Sequence, residues 1–146
     1  MITARTEARP LMNLKVIHKV MLVDPDEGAR NALRGHLEHH GYLVECADDA
    51  PDAIRRGLKF EPHVLVTEVE LAQQTFGIDV ARSLTHHVAD LAVIVHTDED
   101  HGELHDRNAD YARARFASKS TSLDALREMI EQRFTAQIPD TPETGE

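Results

Sequence analysis

Lys19–Glu27 reads KVMLVDPDE: four large apolar side chains after a lysine, then three acids and a proline within four positions. A run that short, rich in Val and stopped at once by Asp and Pro, suits a strand covered on both faces of a parallel sheet. The pattern recurs at Tyr42–Cys46 (YLVEC), Val64–Thr67 (VLVT), Leu91–His96 (LAVIVH) and, more weakly, Arg115–Ser118 (RFAS). Amphipathic stretches alternate with these runs. Glu27–His40 carries Ala29, Leu33 and Leu37 at helical spacing, and Gly41 follows as a stop. Pro51–Lys59 opens on a proline after Asp49, which suits a first helical turn. Ile78–His87 and Gly102–Ala109 come next. Leu123–Phe134 lines up Leu123, Leu126, Ile130 and Phe134 on one face, with Thr121 and Asp124 at capping-box spacing. Strict strand–helix alternation predicts a three-layer α/β sandwich around a five-stranded parallel sheet with right-handed crossovers.

Composition narrows the class of function. The chain has 146 residues, enough for one domain, expected over 18–135 with an N-terminal extension (1–17) and a disordered acidic tail (136–146). Acids outnumber bases 26 to 16, a net charge of −10. Such a surface repels phosphate backbones and anionic lipids, so neither nucleic acid nor a membrane is the expected partner. The apolar stretch from Leu11 to Val23 is broken by Lys15, His18 and Lys19, which excludes a membrane span there. Aromatics make up 4% with no Trp, so the core is aliphatic. The single Cys46 excludes an internal disulfide, reads as a small buried apolar residue, and fits a reducing, cytoplasmic setting. No helix-turn-helix is legible beyond the fifth helix, so an effect on transcription is expected only through a partner.

Parallel α/β sheets bind ligands at the carboxyl ends of their strands. Asp24 and Asp26 follow the first strand, Glu68 ends the third, Thr97 ends the fourth and Lys119 follows the fifth. Carboxylates, a hydroxyl and an ammonium converging there suit a divalent cation and a phosphoryl group.

In these pieces, and in their order from Lys19 to Phe134, the sequence resembles the receiver domain of two-component response regulators. KVMLVDPDE, HGYLVECADDAPDAI, EPHVLVTEVEL, AVIVHT and RFASKS carry the likeness. The resemblance implies a flavodoxin-like fold with strand order 2-1-3-4-5 and five helices. It implies an aspartate at the end of the third strand that takes phosphoryl from a histidine kinase, with two acids after the first strand holding Mg²⁺. By position Asp24 matches the first acid, Thr97 the switch hydroxyl, Lys119 the lysine, and Phe116 the aromatic that reports the state to partners. It also implies a protein partner, a kinase or a second copy, on the face of the fourth and fifth helices around Phe116.

The departures from that pattern are specific. Glu68 stands at the phospho-acceptor position, its carboxylate about 1.5 Å further out by one carbon–carbon bond. In-line attack tolerates such displacement poorly, so phosphoryl transfer is expected to be slow or absent. Pro25 replaces the second acid, and Asp26 is expected to cap the next helix in preference to binding metal. A Mg²⁺ site from Asp24, Asp26 and Glu68 is therefore weak, and no cofactor is required. Glu70–Gly77 (ELAQQTFG) lacks the usual proline and is one residue longer than the common pattern, and Ser120 replaces a common proline. The expectation is an atypical, non-enzymatic receiver signalling by protein contact, with Glu68 either mimicking the activated state toward Lys119 or Thr97 or simply pairing with Lys119. A conventional receiver that is weakly phosphorylated is the nearer alternative. The farther one is a haloacid dehalogenase-like phosphatase with Asp24 as nucleophile and Asp26 as general acid, although the further acidic pair that family needs is missing. His96, Asp98, Asp100, His101 and His105 are close enough in sequence to raise a metal site, with solvated histidines as the blander reading.

Overall fold

A computed structural model describes residues 16–107, 111 and 113–135. The expected tail lies outside them, as does the expected extension apart from Val16 and Ile17. In chain order the elements are β1 (Lys19–Val23), α1 (Glu27–His39), β2 (Leu43–Ala47), α2 (Ala50–Phe60), β3 (Val64–Thr67), β4 (Glu70–Leu71), β5 (Thr75–Phe76), α3 (Gly77–His87), β6 (Ala92–His96), α4 (His101–Arg107), β7 (Arg115–Ala117) and α5 (Leu123–Thr135). The main sheet runs β2-β1-β3-β6-β7, with every neighbouring pair parallel. This is the flavodoxin-like order expected from the sequence. Among the described residues no helix is long and apolar enough to cross a membrane.

Alternation along the strands divides the core in two. Met21, Val23, Leu65 and Val95 face one side, where Ala53 of α2, Val80 and Leu84 of α3 and Leu104 of α4 cover them. Val20, Leu22, Val64, Val66 and Ile94 face the other, against Leu33 and Leu37 of α1 and Leu126 and Ile130 of α5. Both faces of the central strands are dry, which explains their unbroken apolar runs. Each fully buried Leu or Val contributes about 1.5–3 kcal/mol.

Element ends follow local chemistry. Asp26 caps α1, accepting from Ala29 N–H at 3.2 Å, and Asp49 caps α2, accepting from Asp52 N–H at 2.9 Å. Gly41 turns the chain at φ 91°, so β2 begins at Leu43, one residue later than its apolar pattern suggests. The expected Thr121–Asp124 box does not form. Ser122 caps α5 by accepting from Ala125 N–H at 3.0 Å, while Asp124 turns to His36. The helix expected at Gly102–Ala109 is seen over His101–Arg107, and Ala109 lies outside the described residues. In ELAQQTFG the loop is an antiparallel hairpin, β4 against β5, closed by Gln73 and Gln74 at φ 61° and 58°. Thr75 holds it to α2: its hydroxyl accepts from Ala50 N–H and donates to Ala72 O.

Candidate functional site

The ladder continues one residue beyond the strands. Asp24 N–H donates to Ala47 O at 3.1 Å and Glu68 N–H to Val23 O at 2.9 Å. Since Val23 pairs with Thr67 and Thr67 with Val95, the next row contains Asp24, Glu68 and His96 side by side. All three line a small cavity of about 10 Å³ above Leu22, Leu33 and Val66, on the α1 side of the sheet.

Lys119 enters this row from the turn after β7. Its Nζ lies 2.6 Å from Asp24 Oδ2 and 3.4 Å from Glu68 Oε1. The remaining carboxylate oxygens are also engaged: Asp24 Oδ1 accepts from Asp26 N–H at 2.9 Å, and Glu68 Oε2 from Val69 N–H at 2.6 Å. Burial alone would lower the Lys119 pKa, but the hydrogen bond and charge of Asp24, then those of Glu68, leave it above the ordinary lysine value. Asp98 fixes the lysine from behind, accepting its backbone N–H at 2.7 Å. Arg30 donates to Asp24 O at 2.6 Å and pins the end of β1 to α1.

Thr97 follows that row by one residue. It is 1% exposed, and its Oγ1 accepts from Glu99 N–H at 3.2 Å. Strand alternation puts His96 in the row instead. Its Nε2 is buried with no hydrogen-bond partner, and burial followed by the Lys119 charge holds the imidazole below the ordinary histidine range, against the pull of Asp24, Glu68 and Asp98. Counting the period from Ile94 in VIVHT would have found it. Gly77 is equally a part of the site's frame. A Cβ there would lie 2.2 Å from Glu68 O and 2.5 Å from Thr67 Oγ1, so α3 begins against the acceptor strand only with glycine.

Phe116, half-buried on β7, sits among rings. His101 stacks on it at 5.3 Å, Tyr111 meets it edge-on at 6.1 Å and His105 at 6.4 Å. His101 Nε2 also donates to Thr97 O at 2.8 Å, which ties α4 to the end of β6. Among the described residues His96, Asp98, Asp100, His101 and His105 do not gather ligand atoms at one point. For the divalent cation that the resemblance implies, the acidic corner offers fewer ligands than that pattern: Pro25 has no carboxylate, Asp26 Oδ1 caps α1, and Asp24 and Glu68, both paired with Lys119, are the remaining acids.

Comparison with known proteins agrees with this architecture. The response regulator MprA of Mycobacterium leprae (strain TN) is 28% identical over 122 residues, 84% of this chain and 53% of that protein. MprA of Mycobacterium ulcerans (strain Agy99) is 33% identical over 82 residues, 56% of this chain and 35% of that protein. The chain thus spans about half the length, or less, of these curated relatives. A CheY-like receiver domain protein from Methanospirillum hungatei JF-1 superposes with a TM-score of 0.74 at 18% identity, covering 84% of this chain and 97% of that one. Chemotaxis response regulator CheY4 of Vibrio cholerae does so at 0.68 and 19%, covering 81% and 99%. At those identities the structures establish the fold alone. The family model of the response regulator receiver domain matches residues 20–131, from within β1 to within α5, and on that match the chain belongs to the response regulator receiver domain family.

Proposed function

We propose that this receiver signals through protein–protein contact without conventional aspartyl phosphorylation, Glu68 serving as a standing anion for Lys119. The observation that carries the reading is the engagement of both oxygens of the two paired acids: Asp24 by Lys119 and Asp26 N–H, Glu68 by Lys119 and Val69 N–H. Attack on a phosphoryl donor needs an oxygen free and in line, and small misplacements cost orders of magnitude in rate. Mg²⁺ is not required in this reading, because Lys119 already pairs with both acids and offsets one of their two negative charges. Both roles weighed for Glu68, a mimic of the activated state and a plain ion pair, start from the contact its carboxylate makes with Lys119. The partner is a protein, a histidine kinase or a second copy of the chain, received around Phe116 between α4 and α5. A phosphatase would lack its general acid, since Asp26 caps α1.

Intact-mass measurement after incubation with acetyl phosphate and Mg²⁺ tests the reading. Wild type is expected to stay unmodified. A phosphoryl adduct on wild type that disappears in Glu68→Gln would overturn it.

A further inference from the structure

We propose that His36, His40 and Asp124 form a transition-metal site that ties the last turn of α1 to the first turn of α5. The site shares no residue with the Asp24–Glu68–Lys119 group and does not depend on the reading given to that group. His36 lies in the last turn of α1 and His40, four positions on, is its C-cap residue, with the two ring centroids 4.7 Å apart. One donor atom from each of the three residues lies within 4.8 Å of the other two.

The hydrogen bonding prepares the donors. His40 Nδ1 lies 2.9 Å from His36 O, and since a carbonyl only accepts, the ring proton is on Nδ1. That leaves the Nε2 lone pair of a neutral His40 for a metal, with the backbone carbonyl as the outer partner that metal-bound histidines typically have. His36 Nε2 lies 2.9 Å from Asp124 Oδ1. In a tetrahedral site with bonds of about 2.0–2.1 Å, adjacent donor atoms stand ~3.3 Å apart, so this pair has only a few tenths of an ångström to open. The cation takes the place of the proton on His36 Nε2: a neutral imidazole carries that proton on Nδ1 instead, and a doubly protonated one releases it to solvent. Asp124 is 69% exposed and free to adjust, with Arg127 Nε, 3.6 Å away, as the competing cation.

Two imidazoles and one carboxylate select Zn²⁺, Ni²⁺ or Cu²⁺ over Mg²⁺ and Ca²⁺, which prefer oxygen donors. Water completes the coordination.

Calorimetric titration of the full chain, free of any histidine tag, with Zn²⁺ is the test. Wild type is expected to bind one equivalent, and to melt at higher temperature when Zn²⁺ is present. His40→Ala and Asp124→Ala should each weaken binding about tenfold or more, and remove the thermal shift. His39→Ala and His86→Ala, which lie outside the cluster, should change neither. His40 and Asp124 are both exposed, so these variants keep the fold, which far-UV circular dichroism confirms. No saturable heat, or an affinity unchanged by His40→Ala and Asp124→Ala, would overturn the proposal.

Discussion

His96 stands half-buried beside Lys119 with Nε2 unpartnered, so protonating it sets a second cation against the first. Its folded pKa is depressed, by burial first and Lys119 second, with Asp24, Glu68 and Asp98 opposing. A base depressed in the folded state binds fewer protons than the unfolded chain does. Its contribution is therefore complete above the unfolded value of 6.5 and is lost as pH falls from there through the folded value. His63 acts in the same direction, because its Nδ1 accepts from Lys19 N–H at 3.0 Å and burial lowers its pKa. Urea unfolding at about pH 7.5 and about pH 5.5 should show wild type losing stability on acidification, and His96→Gln losing less. An equal loss in both would remove His96 from the account. Asp24, Glu68 and Lys119 were legible from sequence because each directly follows a short strand-like run. His96 was not, since in VIVHT it lies a single step of strand parity from Thr97, and hydroxyl chemistry drew the reading to Thr97 alone.

At the scale of elements, the caps and the α3 start are the sensitive points. Asp26 is an N-cap, so Asp26→Ala should cost about 1 kcal/mol in urea unfolding, while Asp26→Asn, an equal cap, should stay within about 0.5 kcal/mol. Comparable losses in both variants would mean that its charge matters beyond the cap. Gly77→Ala forces a Cβ into Glu68 O and Thr67 Oγ1, and should cost about 1–3 kcal/mol or more as α3 is pushed off β3. A neutral result would show that this junction yields. The central strands β1 and β3 could be read from apolar runs because burial on both faces leaves no polar alternation to confuse them, while the edge strands β2 and β7, with Glu45 and Arg115 among their residues, gave weaker runs. The β4–β5 hairpin could not. Its strands have two residues each, below any readable period, and its turn uses Gln73 and Gln74 at positive φ where Gly or Asn would have signalled it. Ser122 in place of Thr121 at the α5 cap is the usual one-residue uncertainty of a helix start.

For the molecule as a whole, one sheet end carries the chemistry and two aliphatic cores hold it in register. A receiver that switches needs its strand-end acids available to a cation and a phosphoryl group. Here the acids of that corner, Asp24 and Glu68, are both paired with the Lys119 ammonium. The central claim is that Lys119 and the two acids form a standing group rather than a site awaiting ligands. Heteronuclear NMR of the Lys119 side chain reads this directly, through its ¹³Cε and ¹⁵Nζ resonances before and after millimolar Mg²⁺ with acetyl phosphate. The account predicts resonances that do not move with either addition and that titrate only above the ordinary lysine value of 10.5. A saturable shift on adding Mg²⁺ would mean that the cation displaces the ammonium, and would contradict it.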